Sequence, residues 1–115
     1  MVRPAQVVLF ITQFREYWPP KCVVINTDKN IQALADLNIT AKQRQEIILH
    51  LSVENYSEGP SRDRDRGGEG IWIFGKQVQG QEIYIKLNLF EVKEKYFASC
   101  LSFHPAERTL TYPFS

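Results

Sequence analysis

Residues 82–89 alternate strictly between polar and apolar side chains. Successive side chains of a β-strand point to opposite faces, so this run predicts a strand with one apolar and one polar face. The apolar face carries Ile83, Ile85, Leu87 and Leu89, and the polar face carries Glu82, Tyr84, Lys86 and Asn88. A carboxylate, a phenol, an ammonium and an amide in one row make the polar face a candidate for chemistry. An ordinary amphipathic strand would show the same alternation.

Two neighbouring segments also have the composition of strands. Residues 71–78 precede the alternating strand and are separated from it by a glycine-containing turn at 79–81. Residues 97–104 follow it after a charged turn at 93–95, and Pro105 ends them. Short connections favour hairpins, so the three strands are predicted to form an antiparallel meander.

The first half of the chain predicts three helices and one short strand. Pro4 suits the first turn of a helix that ends near Tyr17, because two prolines follow closely. Residues 22–25 are largely β-branched and apolar, as in a short buried strand. Asn26, Thr27 and Asp28 then supply capping oxygens for a second helix, and Thr40 opens a third. This order of elements indicates an α+β fold with the helices packed on one face of a small antiparallel sheet.

We expect residues 1–115 to form a single domain, because this length is sufficient to bury one core. Residues 52–70 are polar, rich in glycine and interleaved in charge, so they predict a mobile polar loop. A loop of this length is more often functional than idle. Residues 105–115 are predicted to be a C-terminal extension, with a brief further strand at 109–112.

The net charge of +1 neither requires nor excludes a nucleic-acid partner. Cys22 and Cys100 lie far apart and outside any Cys/His motif, which is typical of reduced thiols in the cytoplasm. The sequence therefore predicts no metal site and no cofactor. It also predicts no membrane partner, because no apolar segment is long enough to span a bilayer and the short run at 7–11 lacks the features of a signal peptide.

The core residues of the last strand predict which of its two sides joins the polar face, since phase alone does not decide this. Phe103 and Leu101 are the better core residues, so Ser102 and His104 are expected to lie beside Tyr84 and Lys86. In this phase the polar side of the strand carries Ala98, Cys100, Ser102 and His104. Imidazole exchanges a proton near neutral pH, and His104 is therefore the candidate proton carrier for cleaving RNA through its own 2′-hydroxyl, with Tyr84 orienting that hydroxyl or sharing the proton transfer.

Such a reaction also needs cations for the phosphate and flat faces for the bases. The candidate cations are Lys86, Lys76 and one of the loop arginines Arg62, Arg64 and Arg66. The candidate stacking faces are Tyr56 and Trp72. A cysteine hydrolase that uses Cys100 is a less favoured alternative, because His104 on the same strand is the only evident base.

Residues 51–56, 71–72, 80–87 and 101–104 form four short motifs, of which Gly-x-x-x-Tyr-x-Lys at 80–86 is the most specific. Together they resemble toxins of the MqsR family, and the resemblance spans roughly residues 21–104. Three positions depart from the family pattern. Ser57 and His104 stand where the family has lysines, and Ile73 stands where it has a glutamine.

The resemblance implies a RelE/MqsR-like fold and a metal-independent endoribonuclease that an antitoxin protein holds inactive. Tyr84 matches an active-site tyrosine of the family, Lys86 follows it in the motif, and His104 would replace a family lysine in the chemistry. The implied substrate is single-stranded messenger RNA, and the sequence leaves open whether it is free or presented by a ribosome. DNA alone is not an expected partner. The alternative is a non-catalytic protein- or RNA-binding module that kept the toxin fold.

Overall fold

The computed structural model describes residues 2–62 and 70–115 and has an α+β fold. The helices are α1 (Pro4–Tyr17), α2 (Asp28–Leu37) and α3 (Ala41–Leu49), followed by a 3₁₀ turn (Val53–Asn55). The strands are β1 (Val23–Val24), β2 (Tyr56–Ser61), β3 (Ile71–Val78), β4 (Gln81–Val92) and β5 (Lys95–Pro105). None of these helices is long and apolar enough to cross a membrane.

The strands form one sheet in the order β1-β5-β4-β3-β2. The predicted antiparallel meander is confirmed, since β4 pairs antiparallel with both β3 and β5. The prediction of a purely antiparallel sheet is wrong, because β1 pairs with β5 in parallel through Val23–Ser99 and Val24–Cys100. The chain between β1 and β5 is long enough to cross over, which parallel pairing requires.

The segment 53–61 is not the loop that the sequence predicts, because it forms the 3₁₀ turn and the edge strand β2. The pairs between β2 and β3 are Tyr56–Phe74, Glu58–Ile73 and Ser61–Ile71, with a register shift between each pair and the next. Bulges and edge positions tolerate Gly59 and Pro60, which a central strand would not. The predicted strand at 109–112 is also wrong, since this segment has no strand structure.

One face of the sheet packs against the helices. The Phe10 ring of α1 stacks on Trp72 with 4.7 Å between ring centroids and lies 6.1 Å from the ring of Phe74. Leu37 of α2 and Ile48 of α3 belong to the same buried cluster. All three helices therefore contribute to a core on this face, which we call the core face.

The capping residues that the sequence predicts begin α2 and α3. Thr27 Oγ1 accepts a hydrogen bond from the backbone N–H of Asn30 at 3.2 Å. Thr40 Oγ1 accepts from the N–H of Gln43 at 3.1 Å, and Gln43 Oε1 accepts from the N–H of Thr40 at 2.8 Å. These bonds satisfy amide groups that the first helical turn leaves without partners.

Asn30 joins α2 to β5 and to Ile25, the residue after β1, and is 1% exposed. Its Nδ2 donates to the carbonyls of Ile25 at 2.9 Å and Leu101 at 3.0 Å, and its Oδ1 accepts from the N–H of Phe103 at 3.0 Å. β1 pairs with only two residues of β5. Further along β5, the side-chain amide of Asn30 thus forms the hydrogen bonds that a neighbouring strand would otherwise form. This anchor fixes the end of β5, where His104 lies.

Candidate active site

The side chains of β4 alternate between the two faces of the sheet, as the sequence predicts. Ile83, Ile85 and Leu87 are 0, 0 and 2% exposed and lie on the core face. Tyr84 and Lys86 lie half-buried on the opposite face, which we call the polar face. The two polar groups named by the sequence motif therefore share one surface.

β5 contains a bulge at Leu101 that changes which face its side chains meet. The pairs along β4 and β5 are Tyr84–His104, Ile85–Phe103, Lys86–Ser102, Leu87–Cys100 and Leu89–Ala98, with a shift between Lys86 and Leu87. Ser102 and His104 lie on the polar face, as predicted. Ala98 and Cys100 lie on the core face, contrary to the prediction, because one extra residue reverses the alternation.

The position of Cys100 excludes it as a nucleophile for the polar face. Its side chain is 0% exposed, and burial raises the pKa of the thiol to about 12. Only the thiolate is a strong nucleophile. The side chain of His104 lies on the other face of the sheet, so it cannot act as a base for this thiol.

The rings of Tyr84 and His104 stack, with 5.5 Å between their centroids and 24° between their planes. Burial raises the pKa of the Tyr84 phenol; the guanidinium of Arg108 opposes this effect and the carboxylate of Glu58 adds to it. The phenol therefore keeps its proton at neutral pH. The expected convergence of phenol and imidazole on one sheet surface is confirmed.

The hydrogen bonding of His104 selects one neutral tautomer. Its Nδ1 lies 2.9 Å from the carbonyl oxygen of Pro105. A carbonyl oxygen only accepts, so Nδ1 must carry the hydrogen in this contact. In the neutral imidazole Nε2 is then the proton acceptor.

Lys76 does not join this pair. It pairs with Ile83, whereas Gly75 pairs with Tyr84. Lys76 therefore shares the alternation of Trp72 and the core face, and the sheet separates its side chain from Tyr84. The prediction that Lys76 supplies a cation to the polar face is therefore wrong.

Trp72 and Tyr56 are not available to stack on bases. Trp72 is 8% exposed with its ring against Phe10, and Tyr56 is 5% exposed. The Tyr56 ring stacks on Phe114 of the C-terminal tail, with 5.4 Å between centroids, and meets Phe74 edge-on. Both rings already have apolar partners within the protein, so they form part of the core.

The structure does not bring Arg62 to the stacked pair. Arg62 directly follows β2, whose end pairs with Ile71. Tyr84 pairs four residues further along β3, which is roughly 13 Å at about 3.3 Å per residue. The other loop arginines, Arg64 and Arg66, lie in residues 63–69, outside the described ranges.

The C-terminal tail crosses the polar face and is held there by Glu82. The Glu82 carboxylate accepts from the N–H of Leu110 at 3.2 Å and from the Tyr112 hydroxyl at 2.8 Å. Leu110 is 4% exposed. Gly75 leaves the room that this crossing needs, because a Cβ there would overlap Tyr112 and Leu110.

The tail brings Arg108 to the stacked pair. The two aromatic rings form the wall of a depression of about 400 Å³. It is lined by Tyr84, Ser102, His104, Glu107 and Arg108. Arg108 Nη2 forms an ion pair with Glu58 Oε2 at 2.6 Å. Sequence reasoning missed Arg108 and Glu58, since neither belongs to a periodic pattern or a motif.

His104 also borders a second depression, of about 450 Å³, between α2 and the end of β5. It is lined by Asp28, Lys29, Gln32, Asp36, His104, Pro105 and Glu107. Lys29 Nζ and Glu107 Oε1 form an ion pair at 2.6 Å. The imidazole therefore stands between two concave surfaces, only one of which contains an arginine.

The polar face thus combines a protonated phenol, an imidazole that can accept a proton, and the cations Lys86 and Arg108. These groups suit proton transfer next to a developing negative charge. Within residues 2–62 and 70–115, no cluster of three His, Cys, Asp or Glu side chains is placed to hold a metal ion.

Comparison of the chain with protein-family models, curated proteins and solved structures finds no match.

Proposed function

We propose that the protein is a toxin-type endoribonuclease that cleaves single-stranded messenger RNA through the 2′-hydroxyl. The observation that carries this proposal is the stacked Tyr84–His104 pair beside an arginine. A RelE/MqsR-like fold, inhibition by an antitoxin protein and a cytoplasmic location belong to the same proposal and rest on the resemblance of the sequence motifs.

The proposed reaction uses the two rings as base and acid. His104 Nε2 accepts the proton of the 2′-hydroxyl, and the 2′-oxygen then forms a bond to phosphorus. The bond from phosphorus to the 5′-oxygen breaks, and that oxygen takes a proton from the Tyr84 phenol. The products are a 2′,3′-cyclic phosphate and a 5′-hydroxyl, and Lys86 with Arg108 balances the charge that builds on the phosphoryl oxygens.

The test is cleavage of single-stranded RNA in EDTA by the purified protein, with both RNA ends identified. His104→Ala and Tyr84→Phe should each lower the rate by roughly 10²-fold or more, the usual contribution of a positioned acid or base. His50→Ala is the matched control, because His50 is exposed at the end of α3. Equal rates for the wild type and the double variant would remove both rings from the mechanism.

A second candidate function is a non-catalytic binding module. An apolar groove of about 300 Å³ favours it, because Tyr17, Val23, Tyr96 and Phe97 line that groove and are each more than a third exposed. Apolar clusters of this kind often mark protein interaction sites.

Induced expression distinguishes the two candidates. Growth arrest that disappears in His104→Ala and that the product of the neighbouring gene relieves supports the ribonuclease. A non-toxic protein that still binds the neighbour's product supports the binding module.

A further inference from the structure

Arg108 and Glu58 meet above the polar face although they come from different parts of the chain. Glu58 lies on edge strand β2, and Arg108 lies in the tail beyond β5. Their side chains approach to 2.6 Å while remaining 54% exposed at Arg108 and 43% exposed at Glu58. The same guanidinium lines the depression beside Tyr84 and His104. It is thus held at the edge of the candidate active site by a carboxylate that has no part in the proposed reaction.

The position of Arg108 is fixed by more than this ion pair. Before Arg108 in the sequence, the Ala106 N–H donates to the carbonyl of Glu82 at 2.8 Å. After Arg108, the Leu110 N–H and the Tyr112 hydroxyl donate to the Glu82 carboxylate. The backbone of the tail would therefore stay in place if Glu58 released the guanidinium. An exposed ion pair is weak, so another anion can exchange with the carboxylate.

The other candidate cations are less suited to bind a phosphate in this depression. Lys29 is paired with Glu107, and Lys76 lies on the core face. Lys86 carries a single ammonium on β4. An arginine presents a planar fork that fits two oxygens of a phosphate at once, and such charge-assisted pairs are among the stronger hydrogen bonds.

We propose that Arg108 binds the scissile phosphate and that Glu58 occupies its guanidinium in the free protein until the phosphate takes the place of the carboxylate. That the bound phosphate is the one that is cleaved rests on the function proposed above. The exchange of the Glu58 carboxylate for a phosphate at Arg108 does not depend on that function. The C-terminal tail is then part of the substrate site, and Glu58 is a positioning residue that lowers the affinity for RNA.

Binding of a fluorescent, single-stranded 2′-O-methyl RNA, measured by anisotropy, tests the exchange without cleavage. Arg108→Gln should weaken binding roughly tenfold or more, because it removes a charge-assisted contact. Arg108→Lys should lie between Arg108→Gln and the wild type. Glu58→Gln should tighten binding about two- to fivefold, which is the equilibrium equivalent of an exposed ion pair.

A double variant separates this mechanism from a general change in charge. In the Arg108→Gln background, Glu58→Gln should have no effect on binding, because no guanidinium remains to be released. Glu54→Gln removes the same charge from a neighbouring exposed site, and Lys21→Gln removes a positive charge near β1; both should bind RNA as the wild type does. Unchanged urea midpoints for the Arg108 variants would show that the fold and the tail remain intact.

Three results would overturn the inference: wild-type protein that does not bind the 2′-O-methyl RNA, Arg108→Gln that binds as tightly as the wild type, or Glu58→Gln that tightens binding equally without Arg108. Failure of the proposed function looks different. The predicted binding pattern with no cleavage of ordinary RNA would leave the anion exchange in place and remove the ribonuclease. Cleavage that is lost in His104→Ala but unchanged in Arg108→Gln would support the ribonuclease and remove the anion exchange.

Discussion

Replacing Asn30 by alanine removes the side chain that joins α2 to β5 and to Ile25, the residue after β1. The substitution leaves the buried N–H of Phe103 and two partly buried carbonyls, those of Ile25 and Leu101, without their present partner. An unsatisfied buried group costs about 1–3 kcal/mol, and the three costs are not additive because water reaches some of the space. Alanine is the better helix former by about 0.5 kcal/mol. We expect a net loss of about 3 kcal/mol, a large share of the roughly 5–15 kcal/mol that holds a domain folded.

Urea unfolding followed by tryptophan fluorescence measures this loss. With a slope of about 1–3 kcal/mol per molar urea, the midpoint should fall by roughly 1–3 M. Asn26→Ala is the control, because Asn26 is exposed just before α2 and should change stability by less than about 0.5 kcal/mol. A loss below about 1 kcal/mol for Asn30→Ala, with an unchanged slope, would refute the anchor described for β5.

Three further predictions concern the tail and the thiols. Gly75→Ala should displace the tail, since its Cβ would overlap the Tyr112 hydroxyl; limited trypsin digestion at Arg108 should become faster, and an unchanged rate would contradict this. Burial, and secondly a hydrogen bond to a carboxylate, raise the pKa of Tyr112 to about 12, above its ordinary value of about 10. The stabilisation by the Tyr112 hydroxyl should therefore be complete below pH 10 and disappear toward pH 12. The difference in unfolding free energy between the wild type and Tyr112→Phe should shrink over that range. A constant difference would contradict the hydrogen bond from this hydroxyl to Glu82. In Cys22→Ser the remaining thiol, Cys100, is fully buried and should react with a disulfide reagent only after unfolding, so rapid labelling of the native protein would be inconsistent with its place in the core.

The sequence predicts those parts of the fold that depend on local chemistry. The alternation of β4 assigns its faces, because every second residue is strongly apolar. The caps at Thr27 and Thr40 mark helix starts, because their hydroxyls satisfy amides within the next turn. That Tyr84 and His104 share a face follows from placing Phe103 in the core, whereas their direct pairing depends on the bulge in β5.

The remaining parts depend on contacts between distant segments. β3 has apolar residues on both faces, so its sequence does not reveal that Trp72 and Lys76 share the core face. β2 contains Gly59 and Pro60 and owes its strand structure to pairing with β3. The path of the tail depends on Glu82, which lies 26 residues before Arg108 in the sequence. No local pattern therefore points to the guanidinium at the depression.

The bulge in β5 makes the register of that strand as important as its composition. If Leu101 paired with Lys86 in regular register instead of bulging, Phe103 and His104 would exchange their places between interior and water. A benzyl group would then face the depression, and an imidazole would face the core. Deletion of Leu101 would leave Phe103 and His104 with their present partners, so the identity of this residue matters less than its exclusion from the ladder.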